Sequence, residues 1–128
     1  KAKPKPRRIQ PVTLALLESP EGFLLQQRPE KGLLAGLWQP VLWENESLSA
    51  EETLARLQAM GLDLRGTRPE ALPAAKHIFS HIEWHMGGIA LRLPAQAAPA
   101  GCVWASREAL KTTYTLPGAF KAYRKRML

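Results

Sequence analysis

An α/β fold, one mixed sheet flanked by helices in a single domain, follows from three observations on this chain. Strand-sized apolar runs open it ("VTLALL", "GFLLQQ"), a segment with a clear helix start interrupts them, and strand-like and helical stretches share the remainder. The 128 residues suit one domain with its own core. No apolar run approaches the roughly 18 residues of a membrane span, and the N-terminus is basic but polar and proline-rich, unlike a signal peptide. No membrane partner is expected. A lone cysteine, Cys102, excludes an internal disulfide and any cysteine-built metal cluster, and permits a reducing cytoplasm.

Taken in order, "KAKPKPRRIQ" (residues 1–10) reads as a linker, since its prolines favour extended backbone and its like charges repel. The first residue is Lys1, and a fragment of a longer polypeptide is expected; residues 11–128 form the domain. "PVTLALLES" reads as a strand hairpinned across "SPEG" to "GFLLQQRP". The Gly-, Pro- and Trp-bearing "EKGLLAGLWQPVLWENES" suits a structured loop with a short strand. "SAEETLARLQAMG" is the clearest helix: Ser49 and Glu52 have capping-box spacing, Leu54 and Leu57 share a face, and Gly61 stops it. "RGTRPEALPAA" is a breaker-rich connection. "KHIFSHIEWHMGGIALRLP" reads as two strand segments, with a turn in the polar stretch or at Gly87-Gly88. "GCVWASREALKTT" gives a short strand and a short helix. "LPGAFKAYRKRML" suits a closing helix with Phe120, Tyr123 and Met127 inward.

The charge balance favours an anionic partner. Eighteen Lys and Arg against eleven Asp and Glu leave +7, which points to nucleic acid first. Much of the excess lies at the ends, five cations in "KAKPKPRR" and four in "KAYRKR".

The densest polar cluster is "HIFSHIEWH". His77, His81 and His85 are four residues apart. On a regular strand they would span about 25 Å, too far for one ion. Ser80 and His81 are neighbours that face opposite sides of a strand, and no nucleophile-elbow turn surrounds Ser80, so neither it nor Cys102 carries nucleophilic chemistry. Ile78, Ile82, Trp38 and Trp104 are expected in the core; His77, Trp84 and His85 carry no assignment.

The stretch from "RPEKGLLAGLWQP" to a helix ending "MGL" resembles the Nudix superfamily, whose signature is G-x5-E-x7-R-E-U-x-E-E-x-G-U, with U a bulky aliphatic residue. Anchoring its final Gly-U on Gly61-Leu62 leaves Glu46 in place. It puts Pro40 on the first glycine, Leu54-Ala55 on the Arg-Glu pair and Gln58-Ala59 on the Glu pair. Of the carboxylates that hold divalent cations in that family, one survives. With "LLQQRPEKGLLAGLWQP", "KHIFSHIEWHM", "VWASREAL" and "LPGAFKAYRKRML" together, the chain resembles the C-terminal, Nudix-like domain of bacterial adenine DNA glycosylases of the MutY family. Gln39 departs from the glutamate usual there.

The resemblance implies DNA repair: recognition of 8-oxoguanine opposite adenine in duplex DNA, alongside a tethered N-terminal glycosylase domain that carries the catalysis and a 4Fe-4S cluster. It implies no catalytic residue, metal or cofactor in this chain, a monomer, and a location in the bacterial cytoplasm at the nucleoid. Phe79, Ser80 and His81 are then the lesion-reading residues. Arg7, Arg8, Lys76, Lys121 and Arg124 are candidate phosphate contacts, which lend affinity without sequence information. Two rivals follow from the same residues: an active Nudix hydrolase of oxidised nucleotides, and a protein-docking module.

Overall fold

The computed structural model describes residues 6–128, so half of the expected linker, residues 1–5, lies outside the described residues. The elements run β1 (Arg8–Ser19), β2 (Gly22–Gln27), β3 (Trp38–Glu44), α1 (Ala50–Ala59), β4 (Glu70–Ala71), β5 (Ala75–Ile78), β6 (Ile82–Arg92), β7 (Cys102–Ala105), α2 (Arg107–Lys111), a 3-10 helix (Gly118–Tyr123) and α3 (Arg124–Met127). They build one mixed seven-stranded sheet in the order β4-β6-β1-β3-β2-β7, with β5 beside β4 on the edge of β6. Arg8, Ile9 and Gln10 are strand, because β1 pairs in parallel with β6 from Arg8↔Ile82 to Glu18↔Arg92.

The hairpin over "SPEG" forms, with Glu18↔Phe23 and Ser19↔Gly22 paired, and then splays. β3 enters between its arms, pairing with β1 at Val12–Ala15 and with β2 at Leu25–Gln27. The physical reason lies in consecutive Val41 and Leu42, both buried. A strand apolar on both faces belongs inside a sheet.

Alternation along β1 divides two cores. Val12, Leu14 and Leu16 face the C-terminal helices with Phe23, Trp84, Met86, Phe120, Tyr123 and Met127; Ala15 and Leu17 face α1 with Leu24, Val41, Leu57, Ile89 and Leu91. α1 starts at a complete capping box: Ser49 Oγ accepts from the Glu52 N–H and Glu52 returns the bond to the Ser49 N–H. It ends at left-handed Gly61 (φ 92°), with Gly61 N–H on Gln58 O and Leu62 N–H on Leu57 O. The closing helix is 3-10 before it is α. Phe120 and Tyr123, three apart, match the tighter period, and Met127 four further on matches the α period; all three are buried.

The expected turn in the long polar stretch falls at Phe79–His81, and β6 runs unbroken through Gly87-Gly88. Gly88 is needed for close approach rather than for turning: at φ 142°, a Cβ there would lie 1.9 Å from the Leu14 carbonyl oxygen. Ile78 corrects the expected core list. It is 53% exposed, because the paired row Ile78–Glu83–Ile9 lies on a part of the sheet that α1 does not cover. Ile82 and Trp38 pack half-buried on the first core; Trp104 and Cys102 do so on the second. Among the described residues no helix is long and apolar enough to cross a membrane.

Candidate nucleic-acid interface

β5 and β6 form a hairpin whose tip is Phe79-Ser80-His81. Pairing runs Ala75↔Met86, Lys76↔His85, His77↔Trp84 and Ile78↔Glu83, and the Phe79 N–H closes the turn on the Ile82 carbonyl at 2.8 Å. A second clamp comes from β1, whose Arg8 N–H donates to the His81 carbonyl at 3.0 Å. The tip is therefore held from both sides.

Beneath it lies an aromatic stack. Trp84 is fully buried, and its indole N–H donates to Gln10 Oε1 at 3.0 Å, so its polar atom is satisfied. The half-buried Phe79 ring meets Trp84 edge-on at 5.0 Å and His77 at 4.6 Å, and Trp84 meets Phe120 at 6.1 Å. Phe79 thus faces inward enough to anchor the tip, while Ser80 and His81 are exposed. Among the described residues the Ser80 hydroxyl and amide carry no internal hydrogen bond.

The surroundings are mostly cationic. Glu83 Oε2 lies 2.6 Å from His85 Nε2; that bond, then the charges of His85, Lys76 and Arg7, hold the Glu83 carboxyl below its ordinary value. Lys76 and Lys121, both exposed, line a groove of about 430 Å³ with His77, Gly118, Ala119, Ala122 and Lys125. Arg7 and Arg8 are exposed beside the hairpin. Arg124 differs: it is half-buried, and its guanidinium donates to the Leu116 carbonyl at 3.2 Å.

The structure also accounts for Gln39. Buried Arg28 donates from Nη1 to Gln39 Oε1 (2.8 Å) and from Nε to the Leu33 carbonyl (2.8 Å), pairs with Glu44, and lies 5.4 Å from the Trp84 ring. Gln39 Nε2 donates to Gln26 Oε1 at 3.3 Å. A glutamate there could accept from Arg28 but could not donate to Gln26. This network, Gln10 and the anchoring of Trp84 escaped the sequence reading, although period-two alternation with buried Met86 would have put Trp84 inside.

At α1 the residues do not fit a divalent cation. Glu46 is spent on Arg56 in a two-bonded pair (2.8 and 3.1 Å), which holds its carboxyl below the ordinary range. Glu52 is spent on the cap. Leu54, Ala55, Gln58 and Ala59 offer no carboxylate, and among the described residues no three His, Cys, Asp or Glu gather as ligands.

Residues 12–126 match the NUDIX domain family. The chain is 35% identical to human (Homo sapiens) adenine DNA glycosylase over 97% of its own length and 25% of that protein, and 34% identical to the mouse (Mus musculus) enzyme over 84% and 23%. It therefore spans about a quarter of the curated relatives it matches. Among solved structures it is similar to the C-terminal domain of mouse MUTYH in complex with human PCNA (TM-score 0.68, 27% identity, 91% of this chain and 86% of that one). The fold is shared with a MutT protein from Methanosarcina mazei (TM-score 0.66, 20% identity, 94% of each chain). On the match across its length and the fold that carries it, the chain belongs to the Nudix domain family and is related to adenine DNA glycosylases.

Proposed function

We propose that this domain reads 8-oxoguanine opposite adenine in duplex DNA, acting with a tethered glycosylase domain and without catalysis of its own. The observation that carries the reading is the Ser80 hydroxyl and amide, without partners among the described residues, on an exposed tip held by two backbone hydrogen bonds. Guanine presents N7 as an acceptor in the major groove. Oxidation turns N7 into an N–H donor and adds an acceptor oxygen at C8. A hydroxyl accepts and donates at once, so Ser80 Oγ can take the N7–H while its own proton, or the backbone N–H, meets the new oxygen. His81 reaches outward for a phosphate or base edge. Phe79 fixes the turn against Trp84 while its open edge lies next to the reader.

On this reading glycosidic chemistry and the 4Fe-4S cluster belong to the tethered domain, and the adenine is extruded there while the oxidised base is held here. The Glu46–Arg56 pair supports the loss of hydrolase chemistry. A second reading, protein docking alongside DNA, is supported by the related mouse domain having been solved with human PCNA.

The test is equilibrium binding to duplexes differing only in 8-oxoguanine:adenine against guanine:adenine. Ser80→Ala should reduce the preference for the oxidised duplex by roughly 5- to 140-fold, the equivalent of about 1–3 kcal/mol. An unchanged preference would remove Ser80 from the reading role.

A further inference from the structure

Two groups of exposed cations in this domain differ in how they are balanced. At the end away from the hairpin tip, Arg92 and Arg107 share Glu18 (3.9 and 3.1 Å), and Arg126 meets Glu70 at 3.3 Å. Beside the tip, Lys76, Lys121 and Lys125 line one groove, and among the described residues none of them pairs with a carboxylate. Lys121 on the 3-10 helix and Lys125 on α3 both line that groove, so it gathers like charges.

The groove is built rather than incidental. One wall is β5, which among the described residues is an edge strand with no strand beyond its outer backbone groups. The other is the 3-10 helix running into α3, seated by buried Phe120 and Tyr123. Tyr123 ties the walls together by donating its hydroxyl to the Pro73 carbonyl at 2.8 Å, just before β5. Gly118, Ala119 and Ala122 keep the lining small, and a Cβ added at Gly118 would meet nothing within 4 Å. His77 connects the groove to the reader, since its ring touches Phe79. Lys76 lies on β5 four residues before Ser80, so the chain between them, which includes the start of the turn, spans at most about 13 Å.

We propose that this lysine groove holds the phosphodiester backbone of the same duplex, within a few steps of the base presented to the tip. The inference rests on the DNA-reading role of the tip, but concerns sequence-independent affinity and fails separately from it. Lysine suits the task as a mobile point charge that follows a backbone without fixing its register.

The experiment is a salt titration of duplex binding by the chain, with oxidised and unoxidised duplexes in parallel. Lys121→Ala/Lys125→Ala should weaken both duplexes equally and lower the slope of log K against log salt by roughly 2, about 0.9 per lost phosphate contact. Lys76→Ala should lower it by about one more. Arg92→Ala/Arg107→Ala, at the balanced end, should leave the slope unchanged. All these positions are exposed, and matched thermal unfolding confirms that each variant folds. An unchanged slope in the lysine variants, a loss confined to the oxidised duplex, or an equal drop from the arginine variant would overturn the proposal. A lowered slope with no lesion preference in the wild type would uphold the groove while removing the reading role of Ser80.

Discussion

Helix α1 and the β5–β6 tip are two polar regions on one sheet, and they differ in where their polar atoms are spent. Around α1 several are spent internally. Glu46 closes on Arg56, Glu52 on the Ser49 cap, Asp63 on Arg65, and Thr13 bridges the Glu46 carbonyl and the Leu48 N–H. At the tip the scaffold is satisfied: Phe79 N–H, His81 carbonyl and Trp84 indole have partners, while among the described residues the Ser80 hydroxyl has none. A polar surface closed on itself stabilises a fold. One left open on a rigid support is available for recognition, since its donors are already oriented and lose little freedom on binding.

The comparison can be broken most strongly at Trp84. Trp84→Ala removes the floor under Phe79, and a fully buried aromatic lost this way costs about 3–5 kcal/mol, read from urea unfolding. Lesion preference should fall with it. Ser80→Ala sharpens the contrast, because an exposed change of this kind alters stability by no more than about 0.5 kcal/mol while discrimination drops.

The smallest effect is expected from acid. The Glu46 carboxyl is held below its ordinary 4.5 by its bond to Arg56, and Asp63 is lowered from 3.8 to about 2 by Arg65. Depressed carboxylates contribute stability above their unfolded values and lose it as pH falls through the folded ones. Carbonyl chemical shifts should therefore show the ends of α1 loosening as pH drops below about 4.5 and further toward 2. The effect is modest, since these pairs are exposed to solvent. At the other region the Glu83 carboxyl is also held low, first by its bond to His85.

How much of this was legible in the sequence depended on how local the cause was. The capping box at Ser49 and Glu52, the stop at Gly61 and the inward face Phe120–Tyr123–Met127 are set by neighbours along the chain, and they read correctly. The insertion of β3 between β1 and β2 depends on partners distant in sequence, and only the two-faced burial of Val41-Leu42 hinted at it. The site followed the same division. Phe79, Ser80 and His81 were singled out by the family resemblance, since alternation alone reads them as core and polar strand edge, and the structure places them on one tip. The support from Gln10, 74 residues away, and the closing of Lys76 on Lys121 and Lys125 are tertiary. Ile78 shows the converse error, since an apolar residue on a strand reads as core unless one knows that no helix covers that part of the sheet.

The central claim is tested most directly by an NMR titration of the labelled domain with matched 8-oxoguanine:adenine and guanine:adenine duplexes at low and moderate salt. The account predicts that the Phe79, Ser80 and His81 amides shift more with the oxidised duplex at both salt concentrations, while Lys121 and Lys125 respond alike to both duplexes and less as salt rises. Equal tip shifts with the two duplexes, or a response confined to the lysines, would contradict it.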